Sequence, residues 1–75
     1  MIIDNEIHST KKMIMSSIKG LINFKNLEPG DKLPSERMLS EKLNVSRGNL
    51  RDALQTLEYY GLVKSLPQSG TFLPK

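Results

Sequence analysis

Among the residue types in this sequence, arginine has the spacing that best suits a role in ligand recognition. All three arginines, Arg37, Arg47 and Arg51, fall within fifteen residues, whereas the positive charges of residues 1–34 are all lysines. The guanidinium group is a planar fork of donors that pairs in a bidentate way with guanine edges and phosphates. The clustering therefore predicts a surface that recognises a polyanion.

A simpler interpretation of the same pattern is an ordinary solvated surface. The three arginines could pair with Glu36, Glu41 and Asp52, which on charge pattern alone is the more common case. The net charge of +3 suits a polyanionic partner, but many proteins that touch no nucleic acid share it. The elements that position the arginines must decide between these interpretations.

Two serines predict the starts of the helices that carry the arginines. Ser35 stands at an N-cap position, so a short helix is expected over Glu36–Leu43, with Asn44 able to end it in the left-handed conformation. Ser46 is a second N-cap, and the helix after it should end near Tyr60. Two helices joined by a tight turn are the expected result.

Apolar periodicity supplies a core for these helices. A longer first helix is expected from about Asp4 to Phe24, followed by a turn at Glu28–Asp31. The expected core residues of the three helices are Ile3, Ile7, Ile14, Ile18, Leu21 and Ile22 in the first, Met38, Leu39 and Leu43 in the second, and Leu50, Ala53, Leu54 and Leu57 in the third.

The remaining segments predict a small amount of β-structure. Lys32 and Leu33 favour a brief strand before Pro34, and Leu62–Leu66 and Thr71–Leu73 favour a hairpin closed by the turn residues 67–70. The order is helix, short strand, helix, helix, two-stranded hairpin. This order predicts one mostly α domain over residues 1–75, a winged helix-turn-helix.

In that fold the third helix enters the major groove of DNA by its N-terminal residues. The residues expected to reach base edges are Arg47, Gly48, Asn49 and Arg51. Arginine matches guanine, asparagine matches adenine, and Gly48 lets the backbone come close. The free N–H groups after Ser35 and Ser46 predict sites for backbone phosphates, and Arg37 can serve either purpose.

Several ordered blocks stand out between about Ile14 and Leu73: Leu33–Arg37, Val45–Arg47, Leu50–Leu54, Leu57–Glu58, Gly61–Val63 and Gly70–Phe72. Together they resemble the DNA-binding domain of the GntR family of bacterial transcription regulators. The resemblance implies that the three arginines contact DNA and that Gly48 and Asn49 tune the choice of sequence. It also implies that the hairpin enters the minor groove with residues Gln68, Ser69, Gly70 and Thr71.

The resemblance further implies a repressor or another regulator that binds a palindromic operator as a homodimer. An effector-binding and dimerising domain is then expected after Lys75. Two positions depart from the family pattern: Asn44 replaces the usual glycine, and Gln68 and Ser69 replace the usual Gly-Arg pair in the hairpin. No arginine carries over to the hairpin, so its tip is expected to be uncharged.

Other classes of function find little support in the sequence. There is no cysteine and one histidine, His8, and no carboxylate pair or activated nucleophile is evident, so neither an enzyme nor a cofactor is expected. No apolar run approaches the roughly 18 residues that span a bilayer, which predicts a cytoplasmic protein without a membrane partner. Tyr59 and Tyr60 are interpreted as packing groups. The alternative function is a winged helix that binds another protein instead of DNA.

Overall fold

Three helices followed by a hairpin make up the described part of the chain. The computed structural model describes residues 2–75, with side chains described from residue 10 onward. Its elements are α1 (Ile2–Phe24), α2 (Glu36–Leu43), α3 (Arg47–Tyr59), β1 (Lys64–Leu66) and β2 (Gly70–Phe72). The predicted order of the elements is confirmed. The side chains of Ile3, Ile7 and His8 lie outside the described residues.

One apolar core joins the three helices to the base of the hairpin. Ile14, Ile18 and Leu21 of α1 are buried against the inner face of α3, as their spacing predicts. The other buried members are Leu33, Leu39, Leu50, Ala53, Leu54, Leu57 and Val63. Because α3 is covered by α1 along its apolar side, its opposite side is left to solvent.

The inner face of α2 differs from the prediction at Met38. Its side chain is 58% exposed, whereas Leu39 and Ser40 are buried and Leu43 is half-buried. Ser40 lies three residues before Leu43 and so shares its face, and the Ser40 hydroxyl donates to the Arg37 carbonyl at 2.9 Å. A small, internally satisfied serine completes this face, and Met38 falls outside it.

The turn between α2 and α3 is built from the capping residues that the sequence indicates. Ser35 Oγ accepts from the Met38 N–H and Ser46 Oγ accepts from the Asn49 N–H, each at 3.1 Å. Asn44 adopts the left-handed conformation with φ 57° and ψ 49°. The Val45 N–H then donates to the Ser40 carbonyl at 3.0 Å, which closes the end of α2.

The hairpin, called the wing below, pairs β1 with β2 in an antiparallel register that joins Lys64 to Phe72 and Leu66 to Gly70. The predicted strand at Lys32 and Leu33 is a single β-bridge from Lys32 to Phe72. Pro34 has no N–H to extend this pairing. The first wing strand is shorter than expected, because the Leu62 N–H donates to the Leu57 carbonyl at the end of α3 and β1 begins only at Lys64. The second strand has the expected length but begins one residue earlier, at Gly70.

Candidate nucleic-acid interface

The first residues of α3 form an exposed tip that carries all four of the predicted base-reading positions. The Arg47 and Arg51 side chains are 61% and 60% exposed, and Gly48 and Asn49 are exposed beside them. Ser46 caps the helix directly before this tip. The structure therefore brings the predicted residues of α3 together on one surface.

Gly48 has no packing role inside the domain. A Cβ atom at this position would meet nothing within 4 Å apart from its own helix, and its φ is not positive. Glycine also lowers helix stability by about 1 kcal/mol relative to alanine. The fold itself therefore does not require glycine here, and the position is open to close approach from outside.

Glu36 of α2 holds the two arginines of the tip. Arg51 donates to its carboxylate from Nε at 3.2 Å and from Nη2 at 3.0 Å, and Arg47 Nη2 lies 3.8 Å from Glu36 Oε1. The first pair is a bidentate fork across fifteen residues of sequence. It links α2 to α3 through the arginine that faces outward from the tip.

This pairing shifts the proton affinities of both partners. The hydrogen bonds from Arg51 lower the pKa of Glu36, partial burial opposes them, and the charges of Arg51 and Arg47 add to the lowering. The same pairing raises the pKa of Arg51. Both groups are therefore charged near neutral pH, and the Arg51 fork is held in place before any ligand arrives.

Glu36, which contacts both arginines of the tip, is not among the site residues that the sequence predicts. The sequence suggests Glu36 only as an alternative ion-pair partner of the arginines, and that alternative is confirmed in part. Arg37 Nε lies 3.6 Å from Glu41 within α2, but Asp52 pairs with Lys11 of α1 at 3.4 Å instead of with an arginine. The bidentate pair with Glu36 leaves Nη1 of Arg51 without a hydrogen-bond partner among the described residues.

The wing continues the surface of α3. A groove of about 300 Å³ runs between them, with Arg51 and Gln55 on one side and Ser65 and Thr71 on the other. The Ser65 N–H donates to Glu58 Oε2 at 3.1 Å, which ties β1 to α3. The tip of α3 and the wing therefore form one contiguous face, called the α3–wing surface below.

The loop of the wing places its predicted residues in solvent. Gln68, Ser69 and Gly70 are exposed, and Thr71 is half-buried where its carbonyl accepts from the Leu33 N–H at 2.8 Å. Gln68 has φ 63° and Gly70 has φ 116°. Two left-handed positions thus shape a loop that carries no charged side chain between the strands.

Tyr59 and Tyr60 correct the interpretation of these residues as packing groups. Their side chains are 84% and 66% exposed and stack edge-to-face on each other, with ring centroids 5.4 Å apart. Both follow the last buried residue of α3, Leu57, at the end of the helix opposite its tip. They lie apart from the predicted contact residues at the tip.

Comparison with known proteins identifies the family of this chain. Residues 10–73 match the family model described as bacterial regulatory proteins, gntR family. The chain belongs to the GntR family. The "Putative L-lactate dehydrogenase operon regulatory protein" of Escherichia coli (strain K12) is 45% identical over 60 residues, which cover 80% of this chain and 23% of that protein.

Two further proteins place this GntR-family chain among transcription regulators. The HTH-type transcriptional repressor NagR of Bacillus subtilis (strain 168) is 40% identical over 62 residues, covering 83% of this chain and 26% of NagR. The AraR(DBD), solved in complex with operator ORR3, superposes with a TM-score of 0.78 at 31% identity, over 85% of this chain and 77% of that one. The chain spans about a quarter of the length of the curated relatives it matches.

Neither a membrane-spanning helix nor a metal-binding cluster occurs in the part of the chain that the structure describes. Within residues 2–75, no helix is both long and apolar enough to cross a membrane. Among the described side chains, no three His, Cys, Asp or Glu residues come together where they could hold a metal ion.

Proposed function

We propose that this chain binds double-stranded DNA in a sequence-specific way, as the operator-reading domain of a bacterial transcription regulator. The observation that carries the proposal is the exposed tip of α3, where Arg47, Asn49 and Arg51 stand free of the core on a GntR-family fold. The likeness to the AraR(DBD), solved on its operator, supports it. In this proposal α3 lies in the major groove.

The residues of the tip divide the reading of bases among them. Arg47 and Arg51 pair with guanine O6 and N7, and Asn49 pairs with adenine N6 and N7. Glu36 fixes Arg51 through Nε and Nη2, so its remaining donors point the same way in each molecule. Gly48 adds no side chain between the helix and the floor of the groove.

Other residues position the domain without reading sequence. The Ser35 and Ser46 hydroxyls each satisfy one backbone N–H, which leaves the first N–H groups of α2 and α3 for phosphates. Arg37 in the first turn of α2 is mostly exposed and adds a further positive charge. In the wing, Gln68, Ser69, Gly70 and Thr71 approach the minor groove.

The larger assembly is also a proposal, because the chain covers about a quarter of its relatives. We infer that the full regulator works in the cytoplasm as a homodimer on a palindromic operator, since two domains related by a dyad read two half-sites. A further domain outside this chain binds the effector ligand. Repression is the favoured mode because NagR is named a repressor, and the relatives are regulators, which argues against an enzyme.

Selection of bound sequences from a random duplex pool tests the proposal. We expect a short motif containing guanine to be enriched and its affinity to fall steeply with salt. The double variant Arg47→Ala/Arg51→Ala should lose the motif, whereas Tyr59→Ala, a change at the opposite end of the same helix, should keep it. Failure to enrich any sequence, with no salt-dependent binding, would instead favour a winged helix that binds a protein.

A further inference from the structure

Lys32 reaches the wing from outside it. Its backbone bridges to Phe72 at the edge of β2, and its side chain then runs toward the loop. A Cβ atom built on Gly70 would lie 2.8 Å from Lys32 Cε and 3.6 Å from Lys32 Nζ. The ammonium group of Lys32 therefore lies beside Gly70, where the loop of the wing meets β2.

The pairing register places a second lysine on the same face. Residues directly opposite each other in antiparallel strands point to one side of the sheet, and Phe72 pairs with Lys64 on one side and Lys32 on the other. Gly70 lies two residues before Phe72 and shares this face. Two lysines therefore flank Phe72, and Lys32 is the one that extends to the loop.

No acidic group neutralises this face within the described part of the chain. Lys32 and Lys64 are exposed, and neither has an ion-pair partner among residues 10–75. The nearest acid in sequence, Asp31, accepts from the Glu28 N–H at 2.8 Å. The loop residues 67–69 carry no charge of their own. The positive charge at the loop end of the wing thus comes from Lys32, which precedes α2 in the sequence.

We propose that Lys32 supplies the cationic contact of the wing with DNA, through its ammonium group on a backbone phosphate next to the wing loop. The proposal rests on the proposed function. A lone ammonium is a compact charge without the fork that reads a base, so it positions the wing without choosing sequence. Gly70 keeps the path of the Lys32 stem clear, since any larger residue would displace it.

Salt titration of the Lys32→Gln variant tests this role. On the selected duplex we expect affinity to fall by up to about tenfold at 0.1 M salt and the slope of log K against log salt to become shallower by about one unit. The loss should be equal on scrambled duplexes. Lys25→Gln is the matched control, because it removes the same charge away from the tip of α3. Lys25 lies just after α1, and the nearby Ile22 and Asn23 lie close to Leu62, beyond the C-terminal end of α3.

A second variant tells whether the lost charge acts at the wing loop. Adding Ser69→Arg to Lys32→Gln places a cation back on the loop and should restore both affinity and slope. A double variant as weak as Lys32→Gln alone would put the loss elsewhere and overturn the assignment, as would a Lys32→Gln slope equal to that of the unaltered chain. If the unaltered chain itself shows no salt-dependent DNA binding, the proposed function fails first.

Discussion

The bidentate contact between Arg51 and Glu36 determines what the tip of α3 can offer a ligand. A free arginine side chain loses rotamer entropy when it is fixed at an interface, at a cost of about 0.5–1.5 kcal/mol. In this chain Glu36 already holds the Arg51 guanidinium at 3.0 and 3.2 Å, so much of that rotamer entropy is lost on folding and not on binding. The Arg51 side chain is thus fixed before binding, whereas the Arg47 side chain, which lies 3.8 Å from Glu36, is less constrained.

Alanine substitution of either arginine should reduce both affinity and selectivity. We expect Arg47→Ala and Arg51→Ala each to cost about 1–3 kcal/mol on the selected motif and to relax base choice at one position, because each removes a bidentate guanine contact. Binding measured on a set of single-base variants of the motif checks this. Wild-type affinity and selectivity in both variants would remove these arginines from the interface.

Glu36 should make the stability of the domain depend on acid. Its pKa is lowered in the folded state, so its contribution is complete above the usual glutamate pKa of about 4.3 and is lost as pH falls through the lower folded value. Glu36→Gln should therefore unfold more easily than the unaltered chain at pH 7, with the difference shrinking in acid. Urea unfolding of both proteins at pH 7 and in acid checks this. Glu41→Gln, from a looser pair within α2, should show little difference at either pH.

The two N-caps, Ser35 and Ser46, stabilise the helix-turn-helix. Ser46→Ala removes the acceptor for the Asn49 N–H and should lower the free energy of unfolding by about 1 kcal/mol. Because the cap lies at the tip of α3, DNA affinity should fall as well. Ser16→Ala, on the exposed side of α1, should be neutral or slightly stabilising, since alanine is the better helix former. An equal loss in both variants would contradict the capping role.

The wing loop contains a residue in a conformation that suits glycine better. Gln68 has φ 63°, and a left-handed residue with a side chain is strained by about 1–2 kcal/mol. Glycine loses about 0.5–1 kcal/mol more backbone entropy on folding, so Gln68→Gly should stabilise the domain by roughly 0.5–1 kcal/mol. Ser69→Gly is the matched control, because Ser69 has no positive φ and should gain nothing. Thermal unfolding of the two variants would separate them.

The helices were more predictable from sequence than the contacts between them. Caps and apolar spacing are local signals, and they correctly placed both ends of α2 and the buried face of α3. The contact between Glu36 and Arg51 depends on how two helices cross, which no local pattern records. The prediction that Met38 is buried was wrong, because Ser40 lies on the inner face of α2 where an apolar residue was expected.

The described chain is a single domain that presents a single reading helix. The core that joins α1 to α3 fixes the tip on one side of the chain, while Tyr59 and Tyr60 stand exposed at the other end of α3. Specific sites in such regulators are usually read by two domains related by a dyad. One copy of this surface should therefore hold a half-site only weakly.

We expect the isolated chain to be monomeric and to gain affinity when two copies are linked. Fusing a dimerising helix after Lys75 should raise affinity for a two-half-site operator by about 10² or more through effective concentration, provided the linker spans the sites. Sedimentation and binding to single and paired half-sites check this. A tight dimer of the unfused chain in the absence of DNA would contradict the expectation.

The sharing of Glu36 between two arginines also limits how this protein could be retargeted to another operator. Replacing Arg51 to suit a different base would leave the Glu36 carboxylate facing a polyanion, with only the looser contact from Arg47 at 3.8 Å to balance its charge. Neighbouring substitutions of this kind are coupled by about 0.5–3 kcal/mol and do not add. A change of specificity at Arg51 therefore has to be accompanied by a change at Glu36, and libraries that randomise α3 alone would miss the successful combinations.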